Sequence, residues 1–463
     1  MNQKMHRFGK EAVVIGASIG GILAARALAD AFERVTIIER DEFPHPGEQR
    51  KGVPQGRHAH GLLASGFEIM ESFFPGMKEE LLAQGAMTGS VTESVRWNMG
   101  PGYHVRFHCA LHGMNVSRPL LEAHMRSRLL ALPNVRAITG CDVLGLVTSD
   151  DNNRVCGVRI LRHRDGSAEE ALDAALVVDA SGRGSRSPAW LEAMGYERPN
   201  EEQVKVNIAY TSRVYRRDLR ALNGDRGAII APTSENHRVG VILAMEGDRW
   251  IVTLAGYMGE SAPMDEEGFL AYASSLNAPE IADVIQNAEP LSDPVLFKYP
   301  SSQRRRYENM KRFPEGYLVF GDAICSFNPI YGQGMSVAAQ EAAVLHQCLR
   351  QGADGLAQRF FTQAGKVIDN PWSIAVGSDL RFPEVEGPRT KQTAFINWYL
   401  EKVHKVACHD KTVSLAFHKV SNLMAPPPSL MHPKIAVRVL LGNLFPPGEV
   451  RAAERQKVQV AKA

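Results

Sequence analysis

Several large protein classes leave a mark that this sequence lacks. Six cysteines in 463 residues stand at positions 109, 141, 156, 325, 348 and 408, never at CxxC spacing. No zinc ribbon, thioredoxin-like dithiol or disulfide framework is therefore expected. Sparse, unpaired thiols fit a reducing compartment, so a cytoplasmic location is expected. No run reaches the roughly 18 apolar residues of a membrane span. Neither charge is in excess, with 53 Lys and Arg against 51 Asp and Glu, so no basic footprint for nucleic acid is signalled. Forty Gly and 26 Pro are near ordinary usage, which excludes collagen-like and broadly disordered chains. What remains is a globular chain of two or three units, or one unit carrying a large insertion.

Two local patterns invite misreading. The segment Ala12–Leu28 carries no charge before Arg26 and follows Lys4, Arg7 and Lys10, as a signal peptide would. Gly16, Gly20 and Gly21 would break an apolar helix there, and a second β-rich run, Arg34–Arg40, follows at once. His104, His108 and His112 share a spacing of four. Tyr103–Cys109 reads as an alternating strand rather than a ligand set, with no carboxylate nearby in sequence, so no metal site is expected.

The N-terminus carries the first chemical motif. Ala12-Val13-Val14-Ile15 is a short apolar run typical of a buried parallel strand. Gly16-Ala17-Ser18-Ile19-Gly20-Gly21 follows, then the helical stretch Ile22–Ala31, then a second strand Arg34–Glu39 ending in an acid. This strand–turn–helix–strand–acid unit is the context a dinucleotide fingerprint requires. Gly16 permits the tight turn, Gly21 lets helix and strand approach, and the helix start offers free N–H groups to a pyrophosphate. Glu39 is placed to accept from ribose hydroxyls. Ser18 stands where the fingerprint has its middle glycine.

A second motif lies near residue 320. Tyr317–Ala323 reads as a strand ending in Gly321-Asp322, followed by Phe327-Asn328-Pro329-Ile330-Tyr331-Gly332-Gln333-Gly334-Met335-Ser336 and a helix from Val337 to about Arg350. A carboxylate at a strand end beside a Gly-rich helix start suits a polyol joined to an electron-rich ring: Asp322 for ribityl hydroxyls, the N–H groups of Gly332–Met335 for the negative edge of a flavin.

Together these motifs resemble the FAD site of class A flavoprotein monooxygenases. Leu176–Arg186 sits where that superfamily carries its Asp-Gly segment, although Asp179 is followed here by Ala-Ser-Gly, as in halogenases and prenyl-chain reductases. Val116–Glu122 is similar to the helix start whose arginine, here Arg118, contacts FAD. Arg50–His60, Phe327–Met335 and Ala375–Pro383 resemble bacterial epoxidases of polyene polyketides, with squalene epoxidases more distant.

The resemblance implies an α/β fold: a Rossmann-like FAD-binding domain of the glutathione-reductase type, an inserted antiparallel β-sheet substrate domain and C-terminal helices. The FAD-binding domain is expected over 1–75, 114–205 and 300–360, the substrate sheet over 76–113 and 206–299, and the helical region over 361–463. Trp372, Phe395, Trp398, Tyr399 and Leu400 are expected to supply apolar faces there. Helix Ile435–Leu444, apolar on one side with Lys434 and Arg438 nearby, is read as packing into the core in preference to touching a membrane, and the polar tail Glu449–Ala463 as fraying. FAD contacts are assigned to Gly16, Ser18, Gly21, Glu39, Arg40, Arg118, Val143, Asp179, Asp322, Gly332, Gln333, Gly334 and Met335. Arg50, Gln55, His58 and Pro329 are expected near the reacting edge of the flavin, His58 being read equally as a locally bonded loop histidine.

The implied activity is insertion of one oxygen atom of O2 through a C4a-hydroperoxyflavin, foremost epoxidation of an alkene in a polyketide or terpenoid. Hydroxylation of an aromatic is the alternative, with alkene reduction or a non-catalytic flavoprotein further off. A halogenase would show Trp-x-Trp, and Trp97, Trp190, Trp250, Trp372 and Trp398 are never two apart. No second dinucleotide fingerprint is present, so reducing equivalents are expected from NAD(P)H visiting transiently or from a partner flavin reductase.

Overall fold

The computed structural model describes residues 8–45, 47–164 and 166–447. Its centre is a five-stranded parallel sheet in the order Tyr317–Val319, Leu176–Asp179, Gly9–Ile15, Phe32–Ile38, Val135–Ile138. Ala12–Ile15 and Val35–Ile38 are buried along their whole length, because a parallel sheet covered on both faces has no solvent side to alternate toward. Helix α1 (Ile19–Ala29) starts four residues after the first strand. Helix α2 (Arg118–Leu130) begins at a Ser117 cap whose side chain accepts from the Leu120 N–H. Helix α3 (Gly334–Leu349) packs on α1.

A seven-stranded sheet stands beside this core, in the order Cys325–Ser326, Val295–Arg306, Asn200–Arg216, Arg249–Gly256, Arg238–Met245, Gly227–Ile230, Val95–Asn98. All pairs are antiparallel except the last. Side chains alternate between its faces. Ile242, Ala244, Val252 and Leu254 pack with Trp250 against Phe269 and Ile281 of two covering helices. Val239, Val241, Leu243, Thr253 and Ala255, the intervening residues, face a large cavity.

Four helices complete the chain: α4 (Leu356–Asp379), α5 (Lys391–Ala407), α6 (Lys411–Ser421) and α7 (Pro433–Leu444). The tail 449–463 lies outside the described residues.

The architecture is the α/β class expected, with three local differences. Residues 103–109 form no strand beyond a single bridge at Tyr103, because Val105 N–H donates to Ala407 O of the helical layer rather than to a neighbouring strand. The span 76–113 is mixed: it holds the helix Met77–Ala83 as well as short strands. Phe395 and Trp398 do not pack inward but stand 47% and 53% exposed, while Trp372 is buried as expected.

Candidate active site

The turn between the first strand and α1 has no room for side chains. Gly16 has φ +97°, and a Cβ there would lie 2.7 Å from Ala180 O. A Cβ on Gly21 would lie 1.8 Å from Gly16 O, inside any contact distance. This closeness brings the uncapped start of α1 to the cavity, where Ser18, Ile19 and Gly20 form part of the wall. Glu39 closes the turn from the second strand, accepting from Ala17 N–H at 2.7 Å and Asp41 N–H at 3.1 Å.

Behind the turn lies a buried charge network. Arg50 pairs with Glu39 at 2.5 Å and with Glu122 at 3.0 Å. Glu122 also meets Arg118 at 3.2 Å and Arg126 at 3.6 Å. Arg118 donates to the Ser18 hydroxyl at 2.7 Å. Alternating signs let five charged side chains leave water together, and they fix the fingerprint turn to α2.

The second corner mirrors the first. The strand Tyr317–Val319 leads through Gly321 to Asp322, which faces the cavity. Its enclosure raises the carboxyl above the usual range, opposed by Arg118 and Arg183. Beneath it Glu341 is fully buried and accepts from Gly321 N–H at 2.8 Å; burial pushes its pKa up to about 8. Gly332, Gln333, Gly334 and Met335 line the cavity at the start of α3. No side chain caps this helix, and the buried Gln333 Oε1 has no partner.

Both corners open on one cavity of about 1670 Å³. That exceeds the roughly 300–1,000 Å³ of a site for one small ligand. Against its sheet wall stands His58, from the loop after the turn Pro54–Arg57, whose Nδ1 lies 2.8 Å from the Ser212 hydroxyl, itself 2.6 Å from that of Thr253. The imidazole packs edge-on to Tyr210 and Phe297. Burial, then the neighbouring His60 and Arg57, lower its pKa to about 3. His60 is held at about 4, by burial first and Arg118 second, so both rings are neutral near pH 7.

Beside the Pro329 loop is a group that sequence reasoning passed over. Asp379 Oδ1 accepts from Tyr257 at 2.9 Å, Tyr331 at 2.8 Å and Asn328 Nδ2 at 2.9 Å, while its Oδ2 has no partner. Burial raises its pKa to about 6 against the lowering pull of those three donors. Asn328 and Asp379 both lie in segments that carried the epoxidase resemblance, but only the folded chain brings their side chains together.

The expected residues fall into three groups. Ser18, Gln55, His58, Arg118, Asp322, Pro329, Gly332, Gln333, Gly334 and Met335 line the cavity. Gly16, Gly21 and Glu39 shape the turn beneath its wall, and Arg40 reaches over Gly52 at the rim. Arg50, Val143 and Asp179 are not brought to it. Arg50 is drawn away by two carboxylates. Val143 sits half-buried in the strand Cys141–Thr148. Asp179 is consumed by its own loop, accepting from Ser181 N–H at 2.9 Å, the Ser185 hydroxyl at 2.6 Å and the Ser187 hydroxyl. Arg183, three positions beyond Ala180, lines the cavity instead. Of the three spaced histidines, His108 pairs with Glu93 while His104 is buried against His404 and His418.

Two uncapped helix starts, an orphaned buried amide oxygen, a side-chain-free cradle and a cavity-facing carboxylate suit a long dinucleotide with a polyol link. The family model described as an FAD binding domain matches residues 10–359. The chain belongs to this family. It is a flavoprotein whose cofactor is FAD, and it groups with FAD-dependent monooxygenases as an oxidoreductase. Protein Rv3254 of Mycobacterium tuberculosis is 35% identical over 353 residues, covering 73% of each chain. Squalene monooxygenase of Mus musculus is 25% identical over 377 residues, 74% of this chain and 55% of its own. Among solved structures, PqsL of Pseudomonas aeruginosa, a probable FAD-dependent monooxygenase, superposes with a TM-score of 0.61 at 16% identity, covering 80% of this chain and 94% of its own.

Proposed function

We propose that this flavoprotein transfers one oxygen atom of O2 to an alkene of an apolar polyketide or terpenoid, giving an epoxide. Electrons reach FAD from NAD(P)H or from a partner flavin reductase. When bound, FAD supplies the activation of dioxygen. The start of α1 holds the pyrophosphate through its free N–H groups. Asp322 accepts from ribityl hydroxyls, and the N–H groups from Gly332 to Met335 face the pyrimidine edge of the ring. Asp322→Ala should therefore weaken FAD binding by about 1–3 kcal/mol, the cost of losing a charged hydrogen-bond partner. A titration showing unchanged affinity removes the ribityl assignment.

One observation carries the substrate class. The cavity wall presented by the sheet is mainly apolar, Ile208, Val239, Val241, Leu243 and Ala255 with Phe297, interrupted by Tyr210, Thr253 and Tyr299, and the histidine against it is neutral. Such a wall excludes water and orients an uncharged chain. An alkene needs no base to activate it, so positioning suffices. The squalene monooxygenase similarity supports the same reading.

A second reading, hydroxylation of a phenol, is favoured by Asp379. Tyr257 and Tyr331 line the cavity and share its carboxylate, a path by which a phenolic proton leaves. Reaction under ¹⁸O2 with matched alkene and phenol substrates separates the two. Epoxidation places label in the alkene product, and Asp379→Asn then lowers turnover by less than about tenfold, since asparagine still accepts from both tyrosines. Phenol hydroxylation instead loses about 10²–10⁴-fold in that variant. In that case the wild-type rate also falls as pH drops through about 6, where the base becomes protonated, and the variant loses this limb. Product without label contradicts both readings.

A further inference from the structure

Helix α7 presents apolar side chains on two opposite faces. Ile435 and Val439 are buried, and a Cβ on Gly442 would touch Val406 of α5, so one face meets the packing needs of the fold. Val437, Leu440, Leu441 and Leu444 recur at i, i+3, i+4 and i+7 on the other face and stand 49–59% exposed, with Phe445 next at 69%. Of sixteen exposed large apolar side chains among the described residues, ten lie between Phe395 and Phe445. Apolar residues scattered singly over a surface are ordinary, whereas a contiguous face marks an interaction site.

This region is also basic. Residues 391–445 hold seven Lys and Arg against Glu401 and Asp410, in a chain whose net charge is only +2. Asp410 is neutralised by Arg438 at 2.8 Å. Exposed Trp398 lies under the Lys402 ammonium at 5.8 Å, an apolar body with a charged tip. Phe395, Ile396 and Met431, exposed on the same helical layer, also line the cavity, so its opening adjoins the patch.

We propose that the outer face of α5 and α7 docks on an anionic lipid bilayer, with the apolar stripe in the interfacial layer and the lysines at the headgroups. A non-spanning helix with an apolar stripe and basic flanks lies in the plane of the interface. No helix among the described residues is long and apolar enough to cross a membrane. A second copy of the chain is the poorer occupant, because a two-fold contact would bring like charges together. Docking sets the cavity opening against lipid, so an apolar substrate passes from bilayer to cavity without crossing water. The docking surface stands independently of the reaction assigned to the cavity, and the passage of an apolar substrate rests on that proposed reaction.

Co-sedimentation of the FAD-loaded protein with vesicles tests this without any substrate. The wild type should bind vesicles of phosphatidylcholine mixed with phosphatidylglycerol, bind less at high salt, and bind pure phosphatidylcholine weakly. Leu440→Glu should lose about tenfold or more in partitioning, as expected when one leucine no longer leaves water. Because Leu440 is exposed, its FAD content and thermal midpoint should match the wild type. Failure of the wild type to bind anionic vesicles at low salt overturns the proposal. So does undiminished binding by Leu440→Glu. A wild-type dimer that this substitution dissolves, without vesicle binding, would assign the face to a second copy instead.

Discussion

Gly21→Ala should yield protein without FAD, and little of it folded. The added methyl would sit 1.8 Å from Gly16 O, which belongs to backbone already turned at φ +97°. Neither atom can retreat. Gly16 is pressed against Ala180 O on the neighbouring strand's loop, and α1 is locked into the core by Ile22, Leu23 and Leu28, all fully buried. Overpacking of this kind costs about 3 kcal/mol or more. It also displaces the helix start from the cavity wall. Thermal unfolding and the flavin-to-protein absorbance ratio report the two consequences separately. Gly20→Ala is the matched control for folding: a Cβ there meets only Phe320, at 3.9 Å, so the thermal midpoint should be retained.

Arg50→Ala should act through stability rather than through the chemical step. Its guanidinium bridges Glu39 and Glu122, and its side chain is 5% exposed. Removing one member of a buried ion network leaves uncompensated charge, typically at about 3–5 kcal/mol. Glu122 keeps Arg118 and Arg126, which places the expected loss near the lower end, about 3 kcal/mol. Glu39 keeps only two N–H donors, so the fingerprint turn loosens and FAD dissociates faster. A lowered thermal midpoint with a raised FAD dissociation constant is the expected pair of results. Unchanged stability and FAD content with lost turnover would return Arg50 to the flavin edge.

The sequence revealed the cofactor corners because each is local. A strand, a glycine turn and a helix start lie within about a dozen residues in the first corner and fewer than twenty in the second, and their spacing dictates backbone shape. Arg50 and Asp379 show where such reading stops. Arg50 stands in a segment with Gln55 and His58, and sequence proximity suggested a shared destination. A carboxylate 72 residues further on, Glu122, draws it elsewhere. Asp379 gains its meaning from Tyr257, Asn328 and Tyr331, which arrive from a sheet strand's end and a loop. Helix α7 packs Ile435 and Val439 into the core as expected, and its second apolar face marks a different limit. Its apolar residues outnumber those one buried face requires, and composition cannot say which face turns outward.

The account rests on a single FAD spanning the turn at Gly16–Gly21 and the corner at Asp322–Met335. Its most direct test is titration of the flavin-stripped protein with FAD, followed by the change in flavin absorbance, in wild type and Gly21→Ala side by side. One equivalent per chain taken up by the wild type and none by the variant is the expected result. No uptake by the wild type, or a full equivalent held by Gly21→Ala, would contradict it.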